Sequence, residues 1–223
     1  MRPRSDSFHP VAEQSEHQHL DDVLPGFSEA RTLIKASGDS VKPLGFLGDK
    51  FEFYRFANRY RMAVRFAGIQ LEGFGENTER GYSALTRTFF AWSVFERYTD
   101  LAGIHCPYAS FFAYVPKIEL SKLAQVIDRA DPDYKLFDHL RSQSLPQNQD
   151  QLDRFRSGDR RAVVFYASAI RHIYVHGHLT AHPNGCASEN VEAICHAISD
   201  FLLNGIRDDF ARRLKLAKAS VHA

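Results

Sequence analysis

Residues 77–101, NTERGYSALTRTFFAWSVFERYTDL, carry apolar side chains at the three- and four-residue steps of an α-helix. The stripe predicted to face a core comprises Tyr82, Leu85, Phe89, Trp92 and Phe95. Asn77 precedes the first periodic residue and is a suitable N-cap, and Glu79 lies in the first turn, where the helix dipole favours an anion. This spacing predicts one long helix that buries its aromatic face.

A second long helix is predicted over residues 188–216, with Ser188 as its N-cap and Glu189 and Glu192 in its first turn. Its apolar stripe comprises Val191, Ile194, Ile198, Phe201 or Leu202, and Ile206. Strand signals are weak throughout, apart from a short extended stretch that we consider at residues 110–115. The sequence therefore predicts an all-α helical bundle with two long helices and several short ones.

The shorter helices are expected from Asp49 onward. One begins after Asp49. Another ends before Asp131-Pro132, because the residue before a proline is disfavoured in the helical conformation. Two short ones follow, and the next starts at Asp159 and ends at Gly177. Residues 1–48 mix charges with Pro and Gly and show no sustained period, apart from a short helix considered over residues 29–36. We therefore expect a poorly structured leader over residues 1–48 and one helical domain over residues 49–223.

Composition excludes several classes of protein. The 223 residues are 44% apolar and 25% charged, which is ordinary for a globular domain and unlike disordered, collagen-like or coiled-coil chains. No apolar run is long enough to cross a membrane, and the polar residues 5–22 argue against a secretory signal. The net charge of +1 gives no global attraction to nucleic acid or membrane. Three sparse cysteines fit a reducing compartment, so we expect a cytoplasmic protein.

The segment with chemistry is residues 171–182, RHIYVHGHLTAH, which holds four of the eleven histidines. Arg171, the polar His172 and His176 form an Arg-polar-x3-His pattern, and Gly177 follows the last of them. The bare Arg–His spacing also occurs at Arg2–His9 and Arg4–His9, so spacing alone is not diagnostic. Context separates Arg171 and His176 from those pairs, because they end an amphipathic helix and precede a long capped one.

In this pattern and its helical setting the chain resembles the HEPN superfamily, whose members are helical domains that often cleave RNA. The resemblance covers the helical part by architecture, but only seven residues by motif. It implies metal-independent cleavage by attack of a ribose 2′-hydroxyl, with Arg171 and His176 as catalytic residues, His172 in support and no cofactor. It also implies a homodimer that brings two such motifs to one cleft, an RNA substrate, and in some members an antitoxin or other protein partner.

The residues themselves suit that chemistry. An imidazole with a pKa near 6.5 can take or give a proton at neutral pH. A guanidinium stays charged and binds a phosphate through planar donors. On a regular helix, residues five apart differ by about 140° in azimuth and about 7.5 Å along the axis. Arg171 and His176 can therefore face one group only if the helix end unwinds at Gly177.

Other interpretations remain open. Many HEPN-like domains keep the fold without catalysis and act as binding or dimerisation modules for a nucleotide or a protein. A metal protein is a further alternative, since His172 and His176 share a helix face and His178, His182, Cys186 or Cys195-His196 could add ligands. The zinc-protease pattern, however, requires a Glu where Ile173 stands.

Basic residues also cluster ahead of the motif. Residues 154–171 contain five arginines and only Asp159 as an acid, and we take Arg160 and Arg161 as weak RNA-binding candidates. Arg55 and Arg59 share one face of the first predicted helix, and Arg61 and Arg65 share another. The four arginines do not form a single stripe, so an ordinary solvated surface is the favoured interpretation. Glu96 could place a carboxylate near the motif, although a surface ion pair is the simpler interpretation.

Overall fold

The computed structural model describes residues 20–104, 117–178 and 180–221 of the chain. Within these ranges it contains helices and no strand, which confirms the all-α bundle. The α-helices are α1 Phe27–Ala36, α2 Lys50–Arg65, α3 Glu76–Leu101, α4 Lys117–Ala130, α5 Lys135–Gln143, α6 Pro146–Arg156, α7 Val164–Val175 and α8 Ser188–Val221. Short 3-10 helices span Lys42–Leu44, Arg160–Val163 and Pro183–Gly185. The extended stretch considered at residues 110–115 lies outside the described residues.

The two long helices α3 and α8 pack against each other along the centre of the bundle. The predicted stripe of α8 is confirmed, since Val191, Ile194, Ile198, Leu202 and Ile206 are all buried. On α3 the prediction is right for two of the five residues. Leu85 and Phe95 are buried, but Tyr82, Phe89 and Trp92 are only partly so.

Small residues of α3 allow its close approach to α8. Ala84, Thr88 and Ala91 are fully buried. The Thr88 hydroxyl lies 3.3 Å from both the carbonyl oxygen of Cys195 and the hydroxyl of Ser199 on α8. Bulky aromatic side chains at these positions would keep the helix axes apart. The larger rings of α3 consequently lie toward its flanks.

The helix ends agree with the predictions in part. Asp49 caps α2 through a capping box with Glu52, as expected. Gly75, rather than Asn77, occupies the N-cap of α3. Ser188 is the first residue of α8 instead of its cap, because the carbonyl of Ala187 already accepts a hydrogen bond from the N–H of Val191. The buried Ser188 hydroxyl has no hydrogen-bond partner among the described residues.

Part of the expected leader belongs to the folded bundle, which corrects the boundary at residue 48. Leu20, Leu24, Phe27 and Ile34 are at most 2% exposed. The Phe27 ring stacks on Phe53 of α2 with centroids 5.6 Å apart. Residues 20–48 therefore contribute to the same core as α2, α3 and α8.

No helix in the described ranges combines the length and apolar character that crossing a bilayer requires.

Candidate functional site

The candidate site lies at the C-terminal end of α7, where the sequence stops the helix abruptly. Gly177 adopts a φ of 74°, a left-handed conformation that glycine reaches without strain. Its N–H donates to the carbonyl of Tyr174 at 3.0 Å, and the N–H of His178 donates to that of Ile173 at 3.0 Å. This is the Schellman arrangement of hydrogen bonds, so His176 is the last residue before the chain turns away.

Arg171 points from α7 toward α3. Its Nη2 lies 3.9 Å from Oε2 of Glu96, and the two side chains are 38% and 46% exposed. A long, solvated ion pair of this kind contributes about 1 kcal/mol or less. The Arg171 Nε is buried and has no hydrogen-bond partner among the described residues. The guanidinium is partly exposed and carries a positive charge that a ligand can use.

His172 and His176 form a contacting pair one helical turn apart. Their rings pack edge to face with centroids 4.5 Å apart. His176 is exposed, while His172 is partly buried. The backbone of His176 stays near helical values, at φ −85° and ψ 5°. The imidazole thus remains on the His172 face and does not turn toward Arg171, which differs from the unwinding considered in the sequence.

Tyr174 fixes this end of α7 against α3. Its hydroxyl lies 2.7 Å from the hydroxyl of Thr86, which also donates to the carbonyl of Tyr82 at 2.8 Å. Arg171 and Tyr174 therefore both meet α3 from one side of α7. His176 is left on the solvent side of the same helix end.

The chain leaving the motif packs tightly on α3. A side chain at Gly81 would place its Cβ 2.6 Å from the carbonyl oxygen of Ala181, which is itself buried. A ring nitrogen of His139 lies 3.2 Å from the carbonyl oxygen of His178. Both contacts hold the segment after Gly177 in place, while the His178 and His182 side chains remain exposed.

Among the described residues, no group of three or more His, Cys, Asp or Glu side chains is arranged so that it could hold a metal ion. Burial raises the pKa of the Cys186 thiol to about 11 and that of Cys195 to about 12. Burial therefore keeps both thiols in the neutral form at neutral pH. Cys195 also lies in the core beside Thr88, not with His172 and His176.

The basic cluster ahead of the motif is largely neutralised. Carboxylates lie near three of its arginines. Arg156 pairs with Asp138 at 3.7 Å and Arg160 with Asp128 at 3.6 Å, both from other helices, and Arg154 pairs at 2.7 Å with Asp159, the acid inside the cluster. Arg161 is exposed and has no ion pair with a described residue. RNA binding by Arg160 and Arg161 stays a prediction, with Arg161 the freer of the two.

A pocket of about 640 Å³ opens beside Glu96, the ion-pair partner of Arg171, and no motif or spacing in the sequence predicted it. Its lining includes Arg59 from α2 and Trp92, Glu96, Arg97 and Asp100 from α3. The lining comes from two helices and from the residues just after α3, so no sequence spacing could assemble it.

Comparison with known proteins gives no match of this chain to a family model, to a curated protein or to a solved structure.

Proposed function

We propose that this protein is a HEPN-type, metal-independent endoribonuclease that cleaves RNA by 2′-hydroxyl attack. The observation that carries the proposal is that an exposed imidazole, His176, and a guanidinium, Arg171, lie five residues apart at one helix end, although the two side chains do not face each other within one protomer. The Arg171 charge is only loosely engaged by Glu96. A phosphodiester is the group that needs both a proton acceptor and a fixed cation.

The reaction requires a base for the 2′-hydroxyl, an acid for the leaving 5′-oxygen and a cation for the phosphate. His176 removes the proton from a ribose 2′-hydroxyl, whose oxygen attacks the adjacent phosphorus and expels the 5′-oxygen. The products are a 2′,3′-cyclic phosphate and a free 5′-hydroxyl, once a proton reaches the leaving oxygen. Arg171 offsets the charge that develops on the phosphate oxygens. His172, in contact with the His176 ring, orients it.

A homodimer supplies the missing acid. One imidazole cannot start as both base and acid, whereas two motifs at a shared cleft provide one of each. The protonated His176 of the second protomer would deliver the proton to the 5′-oxygen. We place this enzyme in the cytoplasm, where the free thiols Cys186 and Cys195 stay reduced and where an antitoxin or other protein partner could restrain it.

A second candidate is the same fold acting without catalysis, as a binding or dimerisation module for a nucleotide or protein. The Arg171–Glu96 ion pair favours it, because that contact gives the guanidinium a structural function between α7 and α3.

Cleavage of single-stranded RNA in EDTA distinguishes the candidates. We expect the full chain to cut RNA with EDTA present, and His176→Ala to lower the rate by roughly 10²–10⁴, the usual contribution of a general base. His182→Ala is the matched control, since His182 is an exposed histidine after the motif, and should cut normally. An RNA with 2′-deoxyribose at the cut position should stay intact.

Each contrary result has a defined meaning. No cleavage by a folded wild-type protein supports the non-catalytic module. Cleavage that EDTA abolishes indicates a metal enzyme. Cleavage of the 2′-deoxy substrate excludes attack by the 2′-hydroxyl.

A further inference from the structure

The pocket between α2 and α3 has the size and lining of a ligand site. Its volume of about 640 Å³ lies within the range of about 300–1,000 Å³ that small-molecule sites occupy. The lining combines an indole, two guanidinium groups and two carboxylates, from Trp92, Arg59, Arg97, Glu96 and Asp100. An aromatic surface next to fixed charges is suited to a nucleotide more than to an apolar ligand.

Among the described residues that line the pocket, one cation has no ion-pair partner. Arg97 lies 3.6 Å from Asp100, and Glu96 lies 3.9 Å from Arg171, so both carboxylates have an arginine partner. Arg59 is exposed and has no ion pair with a described residue. A phosphate group entering the pocket would therefore find Arg59 free to bind it.

Trp92 provides a surface for a base. The side chain is partly buried, with its ring held 5.4 Å from that of Phe95, and it also lines the pocket. An indole fixed by packing loses little entropy when a base stacks on it, and such stacking contributes about 1–3 kcal/mol per base.

Glu96 connects this pocket to the candidate catalytic residues. The carboxylate lines the pocket and also faces the guanidinium of Arg171. A strand whose scissile phosphate lies at Arg171 would thus bring a neighbouring nucleotide to the pocket.

We propose that this pocket is a subsite for one nucleotide of single-stranded RNA, with the base stacked on Trp92 and a phosphate bound by Arg59. The inference rests on the proposed function for its substrate class. The binding itself requires no cleavage, so the two can fail separately.

Trp92 is the only tryptophan of the chain and therefore reports on the pocket directly. The probe is a short 2′-O-methyl oligoadenylate, which cannot undergo 2′-hydroxyl attack. We expect it to quench the tryptophan fluorescence of the full chain in a saturable way at low salt. Arg59→Glu should weaken this binding about tenfold, the loss of one hydrogen bond to a charged group.

Arg55→Glu is the matched control. Arg55 is also an exposed arginine of α2, one turn before Arg59, but it does not line the pocket. An equal loss of affinity in both variants would indicate diffuse attraction to the surface and overturn the subsite. Binding detected by fluorescence anisotropy of a labelled oligonucleotide without any change at Trp92 would overturn it too, as would quenching by polyglutamate in place of RNA.

The cleavage assay separates the two proposals. RNA cleavage with unchanged oligonucleotide binding in a folded Arg59→Glu variant removes the subsite and leaves the nuclease. Selective loss of binding in that variant, in a protein that cuts no RNA, removes the nuclease and leaves an RNA-binding pocket. Circular dichroism establishes that both α2 variants are folded.

Discussion

Asp209 joins three parts of the bundle through one carboxylate. The Tyr98 hydroxyl of α3 and Nε of Arg213 each donate to its Oδ2 at 2.7 Å, and Arg212 donates to Oδ1. Arg213 continues to the carbonyl of Gly45 at 2.8 Å, which ties in the segment before α2. Burial raises the pKa of the Asp209 carboxyl, but the hydrogen bonds from Arg213, Tyr98 and Arg212 outweigh it, so the pKa is lowered overall.

Asp209→Asn should reduce the free energy of unfolding by roughly 3 kcal/mol at neutral pH, because Arg213, only 14% exposed, would face a neutral amide. A carboxyl whose folded pKa is lowered stabilises the protein above its unfolded pKa of about 3.9. This stabilisation is lost as pH falls through the folded value. Denaturant unfolding followed by circular dichroism at several pH values measures the difference.

The difference between wild type and Asp209→Asn should therefore be full near pH 7 and shrink below about pH 4. Asp208→Asn serves as the control, since the Asp208 side chain is 75% exposed. A deficit for Asp209→Asn that persists undiminished in acid would show that the carboxylate charge is not what stabilises this network.

Local sequence also shows its limits at the scale of single residues. The arginines of residues 154–171 formed a positive window because only Asp159 lies inside it. The fold brings Asp128, Asp138 and Glu96 from three other helices to neutralise them. Charge in a window of sequence predicts charge on a surface only where no distant segment packs nearby.

At the scale of elements, periodicity located the helices and predicted their packing less well. The α8 stripe was predicted correctly because its large aliphatic residues are the ones that fill the core. On α3, the residues facing α8 are small, and size decides how near two helices can come. The aromatic spacing of α3 therefore predicted the helix correctly, but it predicted the most buried face of that helix only in part.

Gly81→Ala should destabilise the protein by about 1–3 kcal/mol, the usual cost of overpacking. On an open helix the same change would stabilise by up to about 1 kcal/mol, because alanine has the higher helix propensity. The added methyl would meet the Ala181 carbonyl at 2.6 Å, and a backbone atom cannot move away cheaply. Thermal or denaturant unfolding measures the sign.

Gly75→Ala is the control for Gly81→Ala. Gly75 caps the same helix with a negative φ and has open space where its Cβ would be. We expect no steric cost there, only a loss of about 0.5–1 kcal/mol because alanine is a poorer N-cap than glycine. A stabilised Gly81→Ala protein would mean that the segment after the motif does not pack on α3 in solution. In the proposed enzyme, Gly81→Ala should also lower RNA cleavage by displacing that segment.

At the scale of the whole molecule, the sequence misplaced where the folded part begins. Leu20, Leu24, Phe27 and Ile34 do follow helical spacing, but Pro25 and Gly26 interrupt the run. Gly26 adopts a φ of 87° and starts α1 with the buried face kept in register. In the sequence, a turn after which the apolar face continues looks the same as a turn that ends the folded domain. Tertiary contacts decide between the two.

The candidate site was likewise predictable only where local sequence decides the structure. The helix stop at Gly177 followed from a local rule and is confirmed by its hydrogen bonds. The Glu96 contact was only one of two interpretations, and the pocket with Arg59 and Trp92 had no signal at all. Local chemistry specifies the ends of helices, whereas the partners of a side chain depend on which helices become neighbours.

The proposed dimer makes a quantitative prediction about mixed subunits. If each cleft needs His176 from both protomers, a mixed dimer of wild type and His176→Ala lacks either the acid or the base. At a fixed total concentration, activity should then fall as the square of the wild-type fraction, so that an equal mixture retains a quarter. Independent protomers would give a linear decline and retain half. Co-purification of differently tagged subunits establishes that they exchange, and dilution of the wild type with serum albumin gives the reference line. A linear decline among fully exchanged subunits would mean that each protomer completes its own site. The proton for the leaving 5′-oxygen would then have to come from the same chain. His172 is the imidazole in contact with His176 there.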